Sequence, residues 1–212
     1  MAEVLPPHQE ILTERLHVRT IRPSDAAAIL PILSTKAVMQ WTGQDVLNLR
    51  QAMPWLKQRS IGSQICNFAV YLRKEHEEHG NNAPLIGIIG TYEPPQIGYL
   101  FHPDYHGRGY ATECLHALIP VLFKHFTQPR LAYDYLEACT DSENIASQRV
   151  LVKAGFEHFQ TFSGIFSSPH FLEPRDEVVY RIARSAITLE GLRLSSSAEN
   201  VEDDDRPVPP IE

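Results

Sequence analysis

The segment Pro103-Asp-Tyr-His-Gly-Arg-Gly-Tyr-Ala-Thr112 constrains this chain more than any other. It stands between a strand pattern, Ile97-Gly-Tyr-Leu-Phe101, and a stretch at 110–125 in which Ala111, Cys114, Leu115, Leu118 and Leu122 form one apolar stripe of a helix. Glycine turns the backbone tightly and lets it approach a ligand with no side chain between. The first turn of a helix presents unpaired N–H groups and the positive end of its dipole. A strand, a Gly-x-Gly turn and a helix in that order require an α/β fold and offer a place for a phosphate or pyrophosphate. The lysine of a Walker loop and the third glycine of a dinucleotide fingerprint are absent, so the segment alone also reads as a plain turn before a helix.

The rest of the chain fills in a mixed α/β domain over residues 11–184. A strand is expected at 12–21, where Leu16, Val18 and Thr20 alternate with His17 and Arg19. Ser24 or Asp25 is placed to cap a following helix, which Pro31 disturbs. A weaker helix spans 45–60, strands fall at 68–72 and 85–90, and the polar stretch Lys74–Asn82 between them reads as a hairpin-like loop. After the helix at 110–125, which Pro120 should kink or end, come a strand at 131–139 and a helix at 144–154 closed by Gly155. Strands near 156–162 and 177–183 complete a mixed, mostly antiparallel sheet flanked by about four helices.

Charge and cysteine usage exclude several classes. Of the net charge of -7, a balance of -5 sits in residues 198–212, so the body is close to neutral and a broad nucleic-acid-binding face is not expected. That acidic, proline-bearing tail (195–212) has the composition of a disordered end, as does the N-terminus at 1–10; a short helix is possible at 185–194. Cys66, Cys114 and Cys139 make neither a disulfide framework nor a zinc knuckle, and no metal is expected. No stretch approaches 18 apolar residues and the start carries no signal peptide, so the chain reads as cytoplasmic, or nuclear, and independent of membranes.

A second segment adds chemistry. Leu136–Phe156 reads as strand, capped helix and return strand, with Asn144 and Ser147 three residues apart on the first helical turn, where such residues also serve as plain caps. Arg149 and Lys153, four apart, put positive charge on another face. Jointly the two segments resemble the GNAT superfamily of acyl-CoA-dependent N-acyltransferases. Its phosphate motif, Gln/Arg-x-x-Gly-x-Gly/Ala, is matched by Asp104-Tyr-His-Gly107-Arg-Gly109 followed by Tyr110-Ala-Thr-Glu113, and its later pattern by Asn144-Ile-Ala-Ser147 through Gly155-Phe156. Leu12-Thr-Glu-Arg-Leu16 and Arg22-Pro-Ser-Asp25 are similar to the branch that acetylates ribosomal-protein N-termini.

The resemblance implies an acetyl-CoA co-substrate held by Leu100, Phe101, His102, Gly107, Arg108, Gly109, Tyr110, Ala111, Thr112, Asn144 and Ser147, with backbone N–H groups around Leu100 and Phe101 on the acyl carbonyl. Two departures stand out. Asp104 occupies the usual Gln/Arg position and should face solvent, with Arg108 supplying compensating charge; Gln96 stands where many relatives carry a glutamate. The reaction requires an amine with a pKa of about 10 to lose a proton before attacking a thioester, whose thiolate leaves readily. Ser147 is the candidate proton donor to that thiolate, and Glu93 and Glu137 are candidate bases through water; for both glutamates a solvent-facing or ion-paired role is the plainer reading. His102 and His106 stand beside the phosphate turn. The implied activity is acetyl transfer to a primary amine, either a protein N-terminus or a small molecule, by direct attack in a ternary complex. The competing reading is a non-catalytic acyl-CoA-binding or protein-interaction module, with Gln96 marking lost chemistry.

Overall fold

A computed structural model describes residues 8–60, 66–91, 93–126 and 133–184. In chain order the elements are β1 (Glu10–Leu12), β2 (Leu16–Thr20), α1 (Ala26–Leu33), α2 (Lys36–Met39), α3 (Leu49–Ser60), β3 (Cys66–Leu72), α4 (Arg73–His79), β4 (Leu85–Thr91), β5 (Ile97–Phe101), α5 (Tyr110–His125), β6 (Tyr135–Asp141), α6 (Ile145–Lys153), β7 (Glu157–Phe166) and β8 (Arg175–Ala183). Strands β1 to β5 form one antiparallel sheet in sequence order, and β6, β8 and β7 form a second in that spatial order. The expected α/β class therefore holds, with six helices rather than about four among the described residues.

The five-stranded sheet is covered on both faces. On one, Leu16, Val18, Phe68, Val70, Ile86 and Ile89 pack against Cys114, Leu115, Leu118 and Leu122 of α5. On the other, Ala69, Tyr71, Leu85 and Ile88 pack against Ile29, Ile32 and Leu33 of α1 and Ala52 and Leu56 of α3. Strands buried on both faces lose the apolar/polar alternation of a one-sided sheet, and β2 to β4 are buried almost throughout.

Several local expectations are corrected. The strand expected at 12–21 is a hairpin: β1 folds back on β2 with Glu10 opposite Arg19 and Leu12 opposite His17. Glu10 thus belongs to the sheet rather than to a flexible N-terminus; residues 1–7, and the expected helix and tail at 185–212, lie outside the described residues. The loop expected at 74–82 contains α4. Its sequence, Arg73-Lys-Glu-His-Glu-Glu-His79, lacks an apolar stripe but is made of helix formers, and Arg73 pairs with Glu77 one turn on at 2.8 Å. The helix is seated by His76, whose ring lies 3.9 Å from that of His17 and 5.0 Å from that of Tyr71, and by Arg73, which donates to the Thr13 carbonyl at 3.2 Å. Helix α5 runs through Pro120 instead of ending there. The proline forfeits one backbone hydrogen bond, but buried Leu118, Ile119 and Leu122 hold the helix on both sides of it.

Asp25 does not cap α1 with its side chain. Its carboxylate turns back onto Arg19, with contacts of 2.8 and 2.9 Å, and accepts the Arg22 amide at 2.8 Å. Arg19 also donates to the Tyr71 hydroxyl at 2.6 Å. Both partners are about nine-tenths buried, so removing one charge strands the other away from water. Asp25→Ala should therefore lower unfolding free energy by roughly 3–5 kcal/mol, read from urea denaturation, whereas replacing Arg19 and Asp25 together by apolar residues should cost less than the single change.

Candidate active site

Strands β5 and β6 touch only at their starts, where Gln96 and Glu137 form a parallel bridge and the Glu137 amide donates to the Pro95 carbonyl at 3.0 Å. Past that point each strand pairs with its own sheet, and the two edges part. A cleft of about 940 Å³ occupies the opening. Its walls include Gly98–Phe101 of β5, Ala138–Thr140 of β6, the turn before α5 and the first turns of α5 and α6.

Strand alternation decides which backbone groups face this cleft. The His102 amide donates back to Ile86 of β4 at 2.9 Å, so Leu100 and Gly98, in phase with it, also address β4. Tyr99 and Phe101 address the free edge. The Phe101 carbonyl there is taken by the His106 ring, whose Nε2–H donates at 2.8 Å, leaving the Phe101 N–H directed at the cleft. This corrects the expectation of donors around Leu100 and Phe101: Leu100 is out of phase.

At the other end, Gly107 and Gly109 have φ of +71° and +81°, the left-handed region where a side chain would be strained, and Gly109 is the N-cap of α5. The turn is braced by the β1–β2 hairpin. Arg15 Nε donates to Glu113 Oε2 at 2.6 Å, the Arg15 amide to Glu113 Oε1 at 3.0 Å, and Arg15 NH1 to the Arg108 carbonyl at 2.9 Å, while the Thr13 hydroxyl donates to Glu113. Burial by itself raises the Glu113 pKa, but the hydrogen bonds from Thr13 and Arg15 outweigh it and hold the carboxyl below its usual range.

Across the cleft, Asn144 caps α6 by accepting the Ser147 amide at 3.1 Å. The Ser147 hydroxyl is engaged separately, 2.8 Å from the Tyr99 hydroxyl. Burial pushes the Tyr99 pKa up to about 12, with the Ser147 bond opposing, so Tyr99 stays a neutral phenol at physiological pH.

Residues 15–157 match the acetyltransferase (GNAT) domain family. The chain belongs to the GNAT family. It is 30% identical over 179 residues to the Bacillus subtilis protein named uncharacterized N-acetyltransferase YnaD, covering 81% of this chain and 95% of that one. Among solved structures it resembles a GNAT-family acetyltransferase from Bacillus anthracis (27% identity, TM-score 0.66, 82% and 98% of the two chains). It also shares its fold with RimL, a ribosomal L7/L12 alpha-N-protein acetyltransferase solved with coenzyme A (15% identity, TM-score 0.65, 84% and 100%).

Within this GNAT cleft the residues singled out from sequence separate into two groups. Leu100, Phe101, Gly107, Gly109, Tyr110, Ala111, Thr112, Asn144, Ser147 and Glu93 line it; His102, Arg108 and Glu137 do not. His102 instead caps the short turn at Pro103–Tyr105, and the Arg108 guanidinium stands 5.9 Å over the Tyr105 ring. Glu137 is paired with Arg181 at 2.7 Å, both largely buried. Asp104 faces solvent. Two residues of the site were not singled out. Tyr99 reads as an ordinary strand aromatic, and Arg15 lies some 98 residues from the glutamate it grips. Cys139 also lines the cleft and is exposed to it.

Since Arg15 and Thr13 hold the Glu113 pKa down, Arg15→Ala should move the Glu113 carboxyl titration to higher pH in carbon-detected NMR. In the wild type the contribution of Glu113 to stability is full above its unfolded pKa and is lost as pH falls through the lowered folded value. No movement in the variant would show that the hairpin does not control this carboxyl.

Proposed function

We propose that this protein transfers the acetyl group of acetyl-CoA to a primary amine by direct attack in a ternary complex. The observation that carries the reading is the opening between β5 and β6, which joins a free-edge amide, a helix N-terminus without Cβ atoms in the way, and a hydroxyl pair in one cleft. Membership of the GNAT family and the coenzyme A bound to RimL support it.

The left-handed turn at Gly107 and Gly109 opens the N–H groups of the α5 first turn to a pyrophosphate. The Phe101 N–H is the donor for the acyl oxygen, whose charge grows as the amine adds. The Ser147 hydroxyl, oriented by Tyr99, donates the proton that the departing thiolate takes up. The proton lost by the amine leaves through water toward Glu93, an exposed carboxylate of the cleft, because Glu137 is committed to Arg181 and Glu143 to Arg175. No enzyme nucleophile is needed, and burial pushes the Cys66 and Cys114 thiols up to about 12, too high to supply thiolate. Trp41, Trp55 and Arg59 line the remaining part of the cleft, where the amine acceptor enters, whether a protein N-terminus or a small molecule.

Thiol release from acetyl-CoA across a panel of amines and N-terminal peptides tests the activity; binding without turnover on any of them would favour a non-catalytic acyl-CoA-binding module. Ser147→Ala should lower kcat by about 10²-fold and leave the acetyl-CoA Kd nearly unchanged. A loss of melting temperature with normal turnover would reduce the Ser147 hydroxyl to a structural partner of Tyr99. Gly109→Val places a β-branched residue at a φ of +81° and should abolish measurable acetyl-CoA binding by calorimetry while the core transition survives.

A further inference from the structure

The two sheets meet at one strand bridge and then part, so contacts made elsewhere must set the width of the cleft between them. One such contact crosses from the tip of the β7–β8 hairpin, residues 167–174, to the loop that follows α2. Phe171 meets the Trp41 ring at 5.9 Å, and His170 Nε2 stands 3.5 Å from Asp45. The Ser167 carbonyl approaches Gly43 so closely that a Cβ there would lie 3.1 Å from its oxygen.

Arg175, the first residue of β8, stands at the root of this tip. Its guanidinium lies 3.5 Å over the Phe171 ring, while its NH1 pairs with Glu143 at 2.8 Å and with Asp141 at 3.4 Å. Asp141 is fully buried, and its other carboxylate oxygen accepts the Glu143 amide at 2.7 Å. The turn that leads into Asn144 and Ser147 is therefore built on a buried charge that Arg175 pairs. Trp41 and Glu143 both line the cleft, one from the side of each sheet, and Phe171 and Arg175 connect them from behind it.

We propose that Arg175 is a positioning residue that holds the acceptor wall and the proton-donor turn in register with each other. The face of its guanidinium, stacked on Phe171, fixes Trp41; the edge, paired with Asp141 and Glu143, fixes the start of α6 and with it Ser147. A planar guanidinium can stack and donate at once, whereas a lysine supplies only the charge. The proposal rests on the acetyl-transfer reading above and assigns amine KM and kcat to two separable contacts of one side chain.

Steady-state kinetics at saturating acetyl-CoA, with whichever amine of the panel above turns over fastest, tests it. Phe171→Leu removes the ring and leaves the carboxylate pairs, so the amine KM should rise about three- to tenfold while kcat stays within about twofold of wild type. Arg175→Lys keeps a cation beside Asp141 without the planar face and should show the same split. Arg175→Met keeps an unbranched chain against Phe171 but leaves Asp141 unpaired, so kcat should fall about tenfold or more. Should that variant not fold, the other two still decide. The Trp41→Leu/Phe171→Leu double variant should have the KM of Trp41→Leu alone, because Phe171 acts through Trp41. An unchanged KM in Phe171→Leu, a KM rise that multiplies with that of Trp41→Leu, or a kcat loss of about tenfold in Arg175→Lys would overturn the positioning role and leave acetyl transfer intact. If no amine of the panel turns over, the acetyl-transfer reading falls and this role with it.

Discussion

The parting of β5 from β6 is the constraint on which the rest of this molecule depends. Adjacent parallel strands ordinarily satisfy each other's backbone groups, and a buried N–H left without a partner costs about 1–3 kcal/mol. Here the two edges meet once, at Gln96 and Glu137, and then diverge, so the Phe101 N–H keeps no strand partner. Such an edge is tolerable only where water or a ligand reaches it, and the fold leaves a cleft along it. The chain that leaves β5 then passes directly into the Gly107–Gly109 turn and α5, while the chain that leaves β6 passes into α6. One divergence therefore delivers two helix starts to the same opening.

Holding that opening in shape falls to contacts made at a distance in sequence. The β1–β2 hairpin reaches Glu113 and the Arg108 carbonyl through Thr13 and Arg15, so the turn before α5 is held by the strand pair at the opposite edge of the sheet. On the wall formed by α3, Trp55 donates its indole N–H to Gln44 at 2.8 Å and the Arg59 guanidinium stacks 4.0 Å over the indole ring. The cleft is thus braced at the turn before α5 and aromatic on the wall formed by α3. Among the described residues no helix is long and apolar enough to cross a membrane.

Features set by local chemistry were legible without coordinates. The Gly-x-Gly turn, the stripe of α5 and the Asn144 cap of α6 all depend on residues within a few positions of one another. Features set by long-range contact were not. Helix α4 has no apolar stripe to announce it, because it is seated by polar residues, His76 against the rings of His17 and Tyr71 and Arg73 on the Thr13 and Arg15 carbonyls. Asp25 has the sequence context of a cap, yet the Arg19 guanidinium beside it outbids an α1 amide for its carboxylate. Glu93, just past β4, and Glu137, within β6, look equivalent as candidate bases in the sequence; Arg181 on β8 claims Glu137 and leaves Glu93 to the cleft.

By itself, then, the sequence determined the fold class and the two segments that face the cleft, since glycine conformations, capping and helical periodicity are properties of neighbouring residues. The tertiary structure alone decided the phase of β5 and the partners of the polar groups. A strand's side chains can be assigned to faces from their alternation, but which edge its amides address depends on which neighbour it pairs with, and that turned Phe101 rather than Leu100 toward the cleft. The same holds for Tyr99 and Ser147, 48 residues apart in sequence and 2.8 Å apart in space: no local rule joins them, and only the packing of α6 against β5 does.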